Sequence, residues 1–183
     1  MNHLIARITA GLLSTSAIHV MASDAMPTPL GSDRIAQCHA TGAQYALMPD
    51  SRYRIVLETA PEPSAASNLQ LRLLTPGTQH AFAFTVSNGY GITRLLPLAS
   101  RPSSDPENDT EANEETLPVF HAFDAKMTTW IDAPQAEGKP PAWLFIPELG
   151  PMLWYGLLPQ EGTSMPASES MPAGLFQLVA CTP

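Results

Sequence analysis

Basic residues are scarce in this sequence: 9 Lys and Arg stand against 17 Asp and Glu, for a formal net charge of −8. Nucleic-acid binding depends on clustered Lys and Arg that neutralise phosphates, and adsorption to anionic lipid needs the same charge, so the balance argues against both. It suits a protein kept in solution by self-repulsion. Also lacking is an uninterrupted apolar run of roughly 20 residues, the length of a membrane-spanning helix. The most apolar stretch, residues 142–158, is shorter and carries Pro147, Glu148, Gly150 and Pro151 at its middle, so no integral membrane segment is expected in the mature chain.

Catalytic and cofactor signatures are absent too. No Gly-x-Ser-x-Gly elbow occurs, and Asn88-Gly89-Tyr90-Gly91 precedes a strand pattern rather than a helix, so it reads as a turn and not a phosphate cradle. His39, His80 and His121 are widely separated, without the short paired spacing of a zinc site, and Cys38-His39 lacks the partner cysteine of a haem attachment. His121 and Asp124 would supply a base and its orienting acid, but no nucleophile lies near them in sequence. No catalytic residue, metal or cofactor is therefore assigned.

What is present begins with an amino-terminal leader. Arg7 precedes a mostly apolar, uncharged stretch, residues 8–18, and small residues offer cleavage after Ala22 or Ala25. These are the parts of a secretory signal peptide, expected over residues 1–22, which places the protein in the periplasm or outside the cell. Residues 23–37, with Pro27, Pro29 and Gly31, read as a flexible linker. In an exported protein the only two cysteines, Cys38 and Cys181, are expected to form a disulfide. Lipidation of Cys38 is disfavoured, because Gln37 stands where a small residue is needed and the apolar run is distant.

Residues 38–183 read as one domain. Its 19 prolines, counted over the whole chain, break it into short segments rich in β-branched, aromatic and leucine residues. Tyr53, Ile55 and Leu57 alternate with Arg54 and Glu58, and Leu69, Leu71 and Leu73 alternate with Gln70 and Arg72 up to the turn at Pro76-Gly77. Phe82 and Phe84 mark a third strand, Asn88-Gly89 a hairpin turn, and residues 92–98 the returning strand. Weaker apolar runs cover residues 119–123 and 127–131, and residues 175–181 form a last strand ending in Cys181. The expected fold is all-β, a small antiparallel β-sandwich, immunoglobulin-like or similar, of six to nine strands.

Two stretches stand out. Residues 101–116 hold Asp105, Glu107, Asp109, Glu111, Glu114 and Glu115 and no large apolar side chain, as expected of a disordered, solvated loop. An EF-hand reading fails on Thr110 and Thr116, which occupy the positions of the obligatory Gly and Glu. In residues 142–158 two apolar runs, 143–146 and 152–158, flank Pro147-Glu148-Leu149-Gly150-Pro151, and this reads as a β-hairpin. It carries Trp143, Trp154 and Tyr155, more large apolar residues than one core-facing side can bury. The expected function is accordingly non-enzymatic: binding of a partner protein or an envelope component through the outward aromatics of this hairpin. Two alternatives remain. One is a secreted hydrolase or metal-dependent enzyme built from dispersed His, Asp and Glu, and the other a carbohydrate-binding module stacking sugars on Trp143, Trp154 and Tyr155.

Overall fold

The computed structural model describes residue 28 and residues 30–86, 91–98, 116–130, 132–158 and 168–181. The signal-peptide stretch, residues 101–115 of the acidic loop and the Asn88-Gly89 turn lie outside these residues. In chain order the elements are a short helix α1 (Ser32–Ile35), strands β1 (Gln44–Leu47), β2 (Asp50–Thr59), β3 (Leu69–Leu74), β4 (Gln79–Val86), β5 (Thr93–Leu98), β6 (His121–Phe123), β7 (Thr129–Trp130) and β8 (Trp143–Phe145), helix α2 (Leu149–Trp154), and strand β9 (Phe176–Ala180).

The chain is all-β and antiparallel, as its sequence pattern implies, and its strands number nine among the described residues. They form one curled sheet in the order β5-β4-β3-β2-β1-β9-β8-β6-β7. Within that single sheet the outer strand β5 returns to the chain just ahead of β6. Arg94 bridges Val119, Leu95 N–H donates to Pro118 O at 2.9 Å, and Phe120 N–H donates to Thr93 O at 2.9 Å. Every strand except β7 thus takes part in a closed ring, which removes the unpaired edges that an open sheet would expose.

Alternation explains the curl. Tyr53, Ile55 and Leu57 of β2, Leu69, Leu71 and Leu73 of β3, and Phe82 and Phe84 of β4 are buried, as are Leu95, Ala122, Leu144, Phe176 and Leu178. All belong to one core cluster. Each strand has one apolar face, and a sheet that rolls up around those faces buries them together without needing a second sheet. A ring of about eight strands has an interior that side chains just fill. Across the closing seam Phe84 meets Phe120 edge-on, with ring centroids 5.1 Å apart. On the outside, Glu58 and Arg72 form a cross-strand ion pair at 2.8 Å, and this hydrogen-bonded guanidinium holds the Glu58 carboxyl below its usual range.

Ahead of β1, residues 32–35 turn as α1, and Leu30 and Ile35 pack against the core. Cys38 and Cys181 lie at disulfide distance, with Cα atoms 5.6 Å apart, and so tie this segment to the end of β9. Among the described residues no helix is long and apolar enough to cross a membrane.

Two expectations follow. A Cys38–Cys181 bond closes a separation of 143 residues, so Cys38→Ser or Cys181→Ser should lower stability by about 2 to 5 kcal/mol in urea unfolding. Unchanged stability, with both thiols alkylated in the folded protein, would show that the cysteines are not bonded. The second concerns Tyr45, which is fully buried and donates its hydroxyl to Pro141 O at 3.0 Å. Burial pushes its phenol far above the ordinary range. A folded-state pKa raised in this way contributes stability that is complete below about pH 10 and is lost as pH rises beyond it. Tyr45→Phe should therefore cost about 1 kcal/mol near neutrality and flatten the loss of stability above pH 10, measured by circular dichroism.

Candidate functional site

One end of the ring is formed by the β1–β2 turn, the β3–β4 turn and the chain entering β9, and α2 lies across it. The stretch read as a hairpin is not one. Its first arm is the strand β8, but residues 149–154, from the expected turn into the second run, are helical. The reason lies in spacing and end signals. Leu149 and Leu153, four residues apart, share one helical face, and both are buried in the core. Pro151 sits in the first turn, where its missing N–H would have had no intrahelical partner. Gly156 takes a left-handed φ of 63°. With it, Leu157 N–H donates to Met152 O at 2.8 Å and Gly156 N–H to Leu153 O at 3.2 Å, the paired bonds of a Schellman termination.

This geometry sorts the aromatic residues. Because Leu149 and Leu153 plug the end of the ring, Trp154 and Tyr155 at the end of α2 are left outside, 55 % and 72 % exposed, with Leu157 beside them at 63 %. Trp154 and Tyr155 form one wall of a groove of about 370 Å³. Phe145, Pro147 and Pro151 continue the lining, and the segment Ser170–Gly174 closes the other side. Gly150 lets the two sides approach closely: a Cβ there would stand 3.2 Å from Met171 O, so a side chain would require a shift of a few tenths of an ångström. The segment is itself anchored, since Tyr53 donates its hydroxyl to Ser170 O at 2.9 Å and Glu169 N–H donates to Leu153 O at 3.2 Å.

Trp143 is placed differently. It is half-buried on the outer face of β8, opposite Phe123 and Gln177, and does not line the groove. Phe145, two residues on along the same face, lines it instead, and its ring lies against His121 with centroids 6.1 Å apart. The three aromatics picked from the sequence are therefore split, two at the groove and one on the barrel wall. Phe145 and the Ser170–Gly174 side were not foreseen. A signal for the first existed, since strand alternation puts Phe145 on the same face as Trp143.

The dispersed polar residues do not come together. His80 is buried on the interior face of β4, His121 lies on the outer face of β6, and His39 is exposed next to Cys38. Asp124 is a half-buried turn residue whose carboxylate accepts from Lys126 N–H and Thr128 N–H, both at 2.8 Å, and these backbone donors hold its pKa down. Glu148 accepts from Val119 N–H at 3.2 Å, linking the start of α2 to the closing seam. Among the described residues no three His, Cys, Asp or Glu side chains gather in a way that would hold a metal ion.

No family model, curated protein or solved structure matches the chain.

The placement of α2 is testable through Gly156. Any side chain there must adopt a left-handed backbone, so Gly156→Ala should destabilise the protein by about 1 kcal/mol, and Leu153→Ala, which empties part of the plug, by about 2 to 5 kcal/mol. Thermal unfolding of both variants checks this; a neutral Leu153→Ala would mean that α2 does not close the ring.

Proposed function

We propose that this is an exported, non-catalytic β-protein that binds a partner protein or envelope component through the surface carrying Trp154 and Tyr155. The observation that supports it is the pair of adjacent, largely exposed aromatics on a helix whose opposite face is fixed in the core. Exposed apolar patches on a rigid support mark interaction sites, and Trp and Tyr dominate binding energy at such sites because they bring large contact area with little rotamer entropy. The groove beside them, lined by Pro147, Pro151 and Phe145, extends the apolar surface inward. An export address agrees with a cysteine pair at disulfide distance.

The enzymatic alternative draws no support from the dispersed histidines, which face different sides of the sheet. The carbohydrate alternative shares the aromatics but asks for polar partners around the sugar hydroxyls. Among the described residues lining the groove, Ser170 is the polar side chain besides the Tyr155 hydroxyl and the Trp154 indole N–H.

Trp154→Ser should leave stability within about 0.5 kcal/mol, because the side chain is more than half exposed. It should abolish retention of the partner when the purified protein is immobilised and challenged with solubilised cell envelope. A partner retained equally by the wild type and by a Trp154→Ser/Tyr155→Ser double variant would place the binding surface elsewhere.

A further inference from the structure

We propose that Cys181 is a thiol-exchange site: a small anionic thiol attacks its sulfur in the folded protein and forms a mixed disulfide there, releasing Cys38 as a free thiol. This goes beyond the binding surface at α2 and rests only on the Cys38–Cys181 bond.

Three observations carry it. First, the two cysteines are unequally reachable. Cys38 is 4 % exposed, whereas Cys181 is half-buried and lines a cavity of about 290 Å³ together with Leu30, Arg34 and Gln37. Thiol–disulfide exchange needs the incoming thiolate to reach a sulfur atom, so access selects Cys181. Second, the cavity carries a positive charge, Arg34, and among the described residues lining it there is no acid. On a chain with a net charge of −8, the overall field repels an anionic thiol, and Arg34 gives it a favourable approach. Third, the leaving sulfur has an acceptor beside it. Cys38 Sγ lies 3.3 Å from Arg34 O, a carbonyl that accepts from a thiol S–H and offers nothing to a thiolate.

These contacts set the course of the reaction. The thiolate's electron pair forms the new bond to Cys181 Sγ. The bond between the two Sγ atoms breaks, and its pair stays on Cys38 Sγ, which takes a proton from water. Held as a neutral thiol against Arg34 O, Cys38 is a weak nucleophile and returns slowly onto the mixed disulfide, so the adduct at Cys181 accumulates. A second external thiolate attacking the outer sulfur of the adduct releases Cys181 as a thiolate and leaves with the first as an oxidised dimer. The segment ahead of β1 stays docked meanwhile, because Leu30 N–H donates to Leu178 O at 3.4 Å and Leu30 and Ile35 pack against the core, contacts that do not involve the sulfur bridge. Exchange therefore proceeds without global unfolding.

The test uses reduced glutathione as the anionic thiol. The folded protein, free of reductant, is incubated with it, quenched with N-ethylmaleimide and mapped by peptide mass spectrometry. Glutathione is expected on Cys181 and maleimide on Cys38, at a rate that rises linearly with glutathione concentration. Arg34→Glu should slow the reaction about threefold or more and should speed exchange with cysteamine, a cationic thiol, and added salt should shrink both effects. Arg34→Gln should fall between. Glutathione found mainly on Cys38 would overturn the proposal, and so would a rate that levels off at the rate of global unfolding measured in denaturant. Maleimide on both cysteines before glutathione is added would overturn it too, by showing no bond to exchange. Equal effects of Arg34→Glu on both thiols would overturn the assignment of this cavity as the entry.

Discussion

The structure depends on a seam. Where Leu95 and Thr93 exchange backbone hydrogen bonds with Pro118 and Phe120, the sheet stops being an open ribbon and becomes a ring. Without that junction β5 would be an edge with unpaired N–H and C=O groups, and Phe82, Phe84 and Leu95 would have a half-open cavity instead of a filled interior. The seam carries both kinds of stabilisation at once. Its backbone bonds satisfy the edge, and the Phe84–Phe120 contact fills the space behind it. Glu148 extends the arrangement by accepting from Val119 N–H, so the segment that closes the ring is joined to the start of the helix that caps it.

Capping explains why the aromatic surface lies where it does. A ring of strands has two ends, and side chains at the last rung meet solvent unless something covers them. At one end the cover is α2, whose Leu149 and Leu153 enter the core while its other face remains in water. A helix this short gains little from its own hydrogen bonds and is held by tertiary packing and by its Gly156 termination. The outward Trp154 and Tyr155 are consequently fixed in position by groups on the buried side of α2. Such a support lets a small apolar surface bind without a large ordering cost.

Much of the fold is legible without coordinates, because a half-buried strand writes a period of two into the sequence. β2, β3 and β4 could be read from Tyr53-Ile55-Leu57, Leu69-Leu71-Leu73 and Phe82-Phe84, and the Pro76-Gly77 turn joins the last two as its residue types imply. β1 escaped notice because Tyr45, Ala46 and Leu47 are all buried and so do not alternate. The run after Pro151 was misread for a related reason. Consecutive apolar residues have no period to distinguish strand from helix. The spacing of Leu149 and Leu153 and the glycine at position 156 were the signals that favoured helix.

What the sequence alone determined is therefore local or compositional: the antiparallel β class, the placement of its best strands, the scarcity of positive charge, and an excess of large apolar residues in residues 142–158 beyond what one buried face can take. Tertiary structure alone decided three things. It brought the ends of the sheet together, because whether β5 pairs with Val119 depends on the curl accumulated over all the intervening strands. It separated Trp143 from Trp154 and Tyr155, because eleven residues along the chain became two different surfaces once α2 turned across the end of the ring. It also brought Phe145 and Ser170–Gly174 to face those aromatics, a neighbourhood set by the pairing of β8 with β9 that no stretch of sequence contains.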